Sequence, residues 1–256
     1  MKSGKIFIIV LMLMVFLLGL ATFLYPYIRK SVVDSSLRND AQEFIERVTE
    51  VLWQDESPTK ESVQKETEPP HKELLEAMQS YNERIYQEKQ TGLCDPWSYQ
   101  QPSFSLEEYG LEDEVFGAIS IPKLELEMPI YLGATNENLA AGAAQLSQTS
   151  IPIGGINTNS VIAGHRGWHG ASYFRYITDL EYGDEVIIAN LWGKLTYKVI
   201  DTDIIVPNQV EKVLIRPGKD IITLLTCHPY ASGGKQRYLV ICERTNYEPN
   251  FEINHR

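Results

Sequence analysis

Apolar positions along this chain fall into three regimes, and each predicts a different kind of element. The first is continuous. Residues 6–28 form an uncharged run of 23 residues, with Lys2 and Lys5 before it and Arg29 and Lys30 after it. A helix of that length crosses the hydrocarbon core of a bilayer. A cleaved signal would have a shorter apolar core and a small-residue cleavage site, so the run reads as an uncleaved signal anchor. The second regime has helical spacing. Leu37, Ala41, Phe44, Ile45, Val48, Val51 and Leu52 recur at three- and four-residue steps, and so do Leu74, Leu75, Met78, Tyr81, Ile85 and Tyr86. Two amphipathic helices are predicted, packed on the domain behind them. The charged, proline-bearing residues 54–70 form the linker between them.

The third regime begins at Val115, after a polar and aromatic loop over residues 91–114. Short strand-like runs follow, separated by turn residues: 115–121, 127–132, 160–164, 184–189, 195–206, 221–227 and 237–243. Residues 138–146 read as a short helical turn leading into another segment. Seven or eight short strands with brief helices predict a mainly β fold, a closed or nearly closed barrel. The organisation expected is a transmembrane helix over 1–30, a helical segment and loop over 31–114, a β-barrel over 115–245 and a polar tail over 246–256.

Charge sharpens this picture. The net charge is −11, and residues 31–115 hold 20 acidic against 7 basic side chains, whereas residues 116–256 hold 14 against 12. An acidic chain is a poor partner for nucleic acid. Acidic polar faces on the two amphipathic helices would likewise be repelled by an anionic membrane. The three cysteines, Cys94, Cys227 and Cys242, are too few for a disulfide scaffold and are not spaced as zinc ligands. The acidic residues 107–114 lack calcium-ligand spacing and read as a solvated face. No metal or cofactor is expected.

Candidate chemistry concentrates where strands meet loops. The run Ile221-Ile222-Thr223-Leu224-Leu225-Thr226-Cys227 is a buried strand that ends on a thiol and is followed by His228-Pro229 and a Gly-Gly turn. A cysteine nucleophile needs an imidazole to exchange a proton with, and His165 in Ala163-Gly164-His165-Arg166-Gly167 supplies one at another strand end. An attacked carbonyl becomes an oxyanion, and Arg237, opening the last strand, can stabilise it together with a backbone N–H near Cys227. His228 follows Cys227 directly, so its side chain should point to the opposite face, which favours His165 as the base. Cys242 alternates with Tyr238 and Val240 and reads as packing.

The order His, Cys, Arg on a β domain, with Thr223-Leu224-Leu225-Thr226-Cys227 matching a TLxTC signature, resembles the sortase family of membrane-anchored cysteine transpeptidases of Gram-positive bacteria. The resemblance runs from about Phe116 to Arg244 and includes Ile121-Pro122-Lys123 and Pro129-Ile130-Tyr131-Leu132-Gly133. It implies an eight-stranded sortase barrel and catalytic roles for His165, Cys227 and Arg237. It also implies cleavage of an LPXTG-like sorting signal between Thr and Gly, with a thioester on Cys227 resolved by an amine. Asp95-Pro96-Trp97 resembles the lid of class C, pilus-building sortases, in which the aspartate engages the arginine and the aromatic ring covers the cysteine. The implied partners are sorting-signal peptides and an amine acceptor, a pilin lysine or, alternatively, a peptidoglycan amine. A reading from another class is an inactive adaptor that only binds sorting signals. The implied location is the cell membrane, single-pass, with the catalytic domain outside.

Overall fold

The computed structural model describes residues 2–54, 68–91, 93, 102, 104–111, 114–168, 171–231 and 233–245. The expected lid residues Asp95 and Trp97, together with Cys94, lie outside the described residues. Eight strands close into a barrel in the order β1-β2-β3-β4-β7-β8-β6-β5. They are β1 (Val115–Ile121), β2 (Leu126–Leu132), β3 (Ala143–Gln145), β4 (Thr158–Ala163), β5 (Glu185–Asn190), β6 (Gly193–Ile205), β7 (Asp220–His228) and β8 (Gln236–Arg244). Neighbours pair antiparallel except β2 with β3 and β4 with β7, which run parallel. The mainly β barrel expected from alternation and turns is therefore the fold, with β3 emerging from the helical turn α3 (Asn136–Ala141).

Parallel strands in the middle of a sheet are covered on both faces and so carry near-continuous apolar runs. β7 follows this rule, whereas β4 opens on the polar Thr158-Asn159-Ser160; both are covered all the same, with every residue of β4 and the first seven of β7 buried. Ile222 and Leu224 face one cluster, with Ile162, Val240, Cys242 and Phe174. Ile221 and Leu225 face another, with Val161, Val213, Leu239 and Ile241. The threonines of β7 are buried without being orphaned. Thr223 Oγ1 donates to Asn159 Oδ1 at 2.9 Å, and Thr226 Oγ1 donates to the Gly164 carbonyl at 2.8 Å. Both thus satisfy their hydroxyls inside the sheet.

Among the described residues, two α-helices precede the barrel. The second, α2 (Lys72–Gln87), buries the face predicted for it, with Leu74, Met78, Tyr81 and Ile85 against Phe116, Leu132, Ile151 and Trp192. Asn82 fixes its rotation by pairing with both backbone groups of Ile151, at 2.8 and 3.1 Å. The first differs from expectation. The apolar run and the amphipathic stretch are one uninterrupted helix, α1 (Lys2–Gln54). Arg29 and Lys30 end the apolar run but do not break a helix, and no glycine or proline follows until residue 58. Pro26 sits inside this helix. The apolar stretch is long enough to cross a membrane and none of it is buried.

Beyond that stretch, α1 docks along the barrel wall. Asp34 accepts hydrogen bonds from Ser172 N at 2.8 Å and Ser172 Oγ at 3.0 Å. One turn on, Arg38 Nη2 donates to the Glu125 carbonyl at 2.7 Å, and Gln42 Nε2 donates to Glu127 at 3.0 Å. Ala41 and Phe44 then bury against Ala118 of β1 and Ala189 of β5. Full burial of a phenylalanine contributes about 2–3 kcal/mol, so this part of the helix belongs to the folded domain.

Candidate active site

The three residues singled out from sequence lie on three adjacent strands or strand ends. Cys227 on β7 is the direct cross-strand partner of Arg237 on β8. On the other side of β7, the parallel ladder with β4 ends at Ala163 opposite Leu225. It is prolonged by a hydrogen bond from Gly164 N to the Leu225 carbonyl at 3.0 Å. His165 and Cys227 each follow two residues after that last pair. Cross-strand partners present side chains to the same face. Accordingly, the point where a Cβ would sit on Gly234 is 3.1 Å from Arg237 Nη1 and 3.4 Å from Cys227 Sγ. Gly234 has φ +74, so this turn needs glycine both for its backbone and for the space it leaves beside the thiol. Arg237 Nη1 also donates to the Gly234 carbonyl and, at 3.0 Å, to the Gln236 carbonyl. The guanidinium is thus held by the loop that follows the cysteine.

His165 is set in an aromatic frame that sequence reading did not single out. The Trp168 ring stacks on it at 4.4 Å and 12°, and the Tyr173 ring meets it edge-on at 5.9 Å. Tyr173 is held at φ +42, and its hydroxyl donates to the Ala140 carbonyl at 2.6 Å. Next to it, the Phe174 ring lies where a Cβ on Gly164 would come within 2.7 Å, so the strand end must be glycine for the frame to close. A Trp three residues after a strand-end histidine was the available signal. Tyr173 and Phe174 belong to a 3-10 segment, Tyr173–Asp179, with no periodicity to announce it.

His228 faces the other way. Its ring lies beside Tyr238, 5.9 Å between centroids, and its Nδ1 is 2.6 Å from Arg166 Nη1. An arginine can only donate, so Nδ1 is the acceptor and His228 is neutral there. Burial, and then the Arg166 cation, hold its imidazole below the ordinary value. Arg166 Nη1 also donates to the Cys227 carbonyl at 3.3 Å, which ties the end of β7 down from the face opposite the thiol. Cys242 is fully buried in the barrel core, where burial pushes its thiol far above the range in which it could ionise. Among the described residues no group of three or more His, Cys, Asp or Glu is arranged to hold a metal ion.

A thiol cross-strand from a guanidinium, with an imidazole just past the end of the adjoining strand, brings together the residue types that acyl transfer uses. The sequence matches the family described as Sortase domain over residues 119–245. It is 30% identical over 171 residues to sortase A of Bacillus anthracis, an alignment covering 66% of this chain and 79% of that protein. The chain belongs to the sortase family. Among solved structures, sortase C1 of GBS pilus island 1 superposes with a TM-score of 0.62 at 35% identity, covering 69% of this sortase and 89% of that chain. Sortase C-1 from Actinomyces oris superposes with a TM-score of 0.58 at 31% identity, covering 68% of this sortase and 99% of that chain.

Proposed function

We propose that this sortase is a membrane-anchored cysteine transpeptidase that cleaves LPXTG-like sorting signals and passes the acyl group to a pilin lysine. The observation that carries the reading is the alignment of His165, Cys227 and Arg237 on neighbouring strand ends. The Cys227 thiolate attacks the carbonyl of the signal's Thr–Gly bond, and Arg237 stabilises the oxyanion. Collapse breaks the C–N bond as the His165 imidazolium gives its proton to the departing glycine amine, leaving a thioester on Cys227. The acceptor amine then attacks the thioester, His165 takes up its proton, and the new amide leaves as the thiolate is restored. The anchor is α1, and the barrel lies on the outer side of the membrane.

The likeness to sortases of pilus islands supports the lysine acceptor, whereas the sequence match to a sortase A favours a second reading, a peptidoglycan amine. Incubating the full chain in detergent with a sorting-signal peptide decides between them, with either a lysine-bearing pilin domain or a peptidoglycan-type amine supplied. Amide product with the pilin domain is expected. Product with the peptidoglycan amine alone refutes the lysine assignment. We also assign Asp95 and Trp97 to a lid over Cys227. Asp95→Ala and Trp97→Ala should each speed thiol labelling of Cys227, and unchanged rates would remove the lid.

A further inference from the structure

The strand directions, followed from α1 around the barrel, fix which end of the molecule approaches the membrane. Ascending α1 from the apolar run, contacts pass from Ser172 and Glu125, at Asp34 and Arg38, to Ala118 and Ala189, at Phe44. The β1–β2 turn and Ser172 are therefore at the near end of the barrel, together with the end of β1 and the starts of β2 and β5. The pairing directions carry this around the sheet. β3 runs parallel to β2, β4 antiparallel to β3, β7 parallel to β4, and β8 antiparallel to β7. The end of β4 leading to His165, the end of β7 at Cys227 and the start of β8 at Arg237 all fall at that same near end.

The distance is short. From Ile28, the last residue of the apolar run, to Asp34 the helix rises only about 9 Å. The headgroup layer outside the hydrocarbon core is about 5–8 Å deep. Lys30 Nζ lies 5.8 Å from the Tyr176 ring centroid, so Tyr176 shares the depth of Lys30, within that layer. From Tyr176 the same surface continues to the loop after Cys227. The Arg175 guanidinium sits 5.6 Å from the Tyr176 ring and 4.5 Å from the Tyr230 ring. Trp168, Tyr176 and Tyr230 are 42%, 40% and 51% exposed. Exposed aromatics alternating with Lys30 and Arg175 are what an interface of phosphates over hydrocarbon selects. Of the carboxylates at this end, Glu181 and Asp184 are held by Lys123 at 3.0 and 2.7 Å and Asp34 by Ser172, while Glu125 in the β1–β2 turn is exposed.

We infer that the active-site end of the barrel is seated on lipid headgroups through Tyr176, Arg175 and Tyr230, with Trp168 at the rim. This rests on the reading of α1 as the membrane anchor. A substrate tethered in the same bilayer then meets Cys227 at the interface, where confinement raises its effective concentration.

The test is photo-crosslinking of the full chain in nanodiscs of phosphatidylglycerol and phosphatidylcholine. A benzophenone-bearing phenylalanine is placed in turn at positions 17, 176, 230 and 156. Ile156 is the control, 51% exposed and next to the opposite end of β4. Lipid adducts found by mass spectrometry at 17, 176 and 230, in several-fold excess over 156, are expected. Adducts at 17 with no excess at 176 and 230 overturn the seating while leaving the anchor intact. No adduct at 17 overturns the anchor and the seating with it. A crosslinked dimer at 176 in place of lipid adducts gives the face to a second copy of the chain and also overturns the proposal.

Discussion

Arg244 to methionine is the substitution whose cost follows most directly from the structure. Asp220 opens β7 at the end of the barrel away from Cys227 and is 1% exposed. Its carboxylate meets Arg244 Nη1 at 3.5 Å, the Gly155 N–H at 2.9 Å, the Tyr197 hydroxyl at 3.0 Å and Thr158 Oγ1 at 3.4 Å. Methionine fills much of the arginine's volume but removes the counter-charge, and stranding one partner of a buried pair costs about 3–5 kcal/mol. The three neutral donors remain, so the lower end, about 3 kcal/mol at pH 7, is expected. At about 2–4 °C per kcal/mol, that is a fall in Tm of about 6–12 °C.

The pH dependence gives a second, independent check. Burial pushes the Asp220 carboxyl above its ordinary value even with Arg244 present, the Gly155 N–H and the Arg244 cation offsetting only part of it. A raised folded value means that the native state binds the proton more tightly than the unfolded chain. The contribution to stability is therefore present below the unfolded value, about 3.9, and is lost as pH rises through the folded one. Removing Arg244 raises the folded value further, so the deficit of the variant should shrink on acidification, by up to about 1.4 kcal/mol per pH unit. Adding Asp220→Asn should recover much of the loss. Urea melts of the three proteins at pH 5 and pH 7.5 read all of this. An Arg244→Met protein as stable as wild type at pH 7.5, or one whose deficit grows on acidification, would refute the reasoning.

Other expectations concern the site. Gly234→Ala forces alanine to φ +74, at about 1–2 kcal/mol, and drives its Cβ against Arg237 Nη1; peptide-cleavage kinetics should show kcat falling tenfold or more, and an unchanged kcat would separate Arg237 from the chemistry. His165→Ala should slow cleavage at least about 100-fold, whereas His228→Ala, on the far face from the thiol, should cost far less; equal losses would overturn the assignment of the base. Asp34→Ala removes both bonds to Ser172, beside the Tyr173 that frames His165, at about 1–2 kcal/mol. Urea melts should show that loss, and kcat should fall several-fold with KM nearly unchanged; a normal kcat would confine Asp34 to helix docking.

Much of the barrel was legible because its signals are local. The aliphatic and β-branched run of β7 marks it as a strand covered on both faces, and alternation places Cys242 in the core and His228 opposite Cys227; β4 is equally buried, but its polar start Thr158-Asn159-Ser160 hides this in the sequence. That His165 and Cys227 follow the ends of neighbouring strands is a property of the parallel β4–β7 register, which no spacing in the chain encodes. The continuity of α1 was missed because a change from apolar to amphipathic pattern looks like a boundary, although helix propensity runs straight through Arg29 and Lys30. Tyr173, Ser172 and Asp34 were illegible for another reason. Their roles rest on contacts between segments 138 residues apart and on a positive φ at the first residue of a short 3-10 segment.

The most direct test of the central claim is the mass of the protein after brief exposure to an LPXTG peptide and acid quench. An acyl adduct with the mass of the signal through its threonine is expected, located on Cys227 by peptide mapping, discharged by hydroxylamine and absent from Cys227→Ala. An intact peptide bound without any covalent adduct, with or without the lid residues, would contradict the claim and leave a protein that binds sorting signals without cutting them.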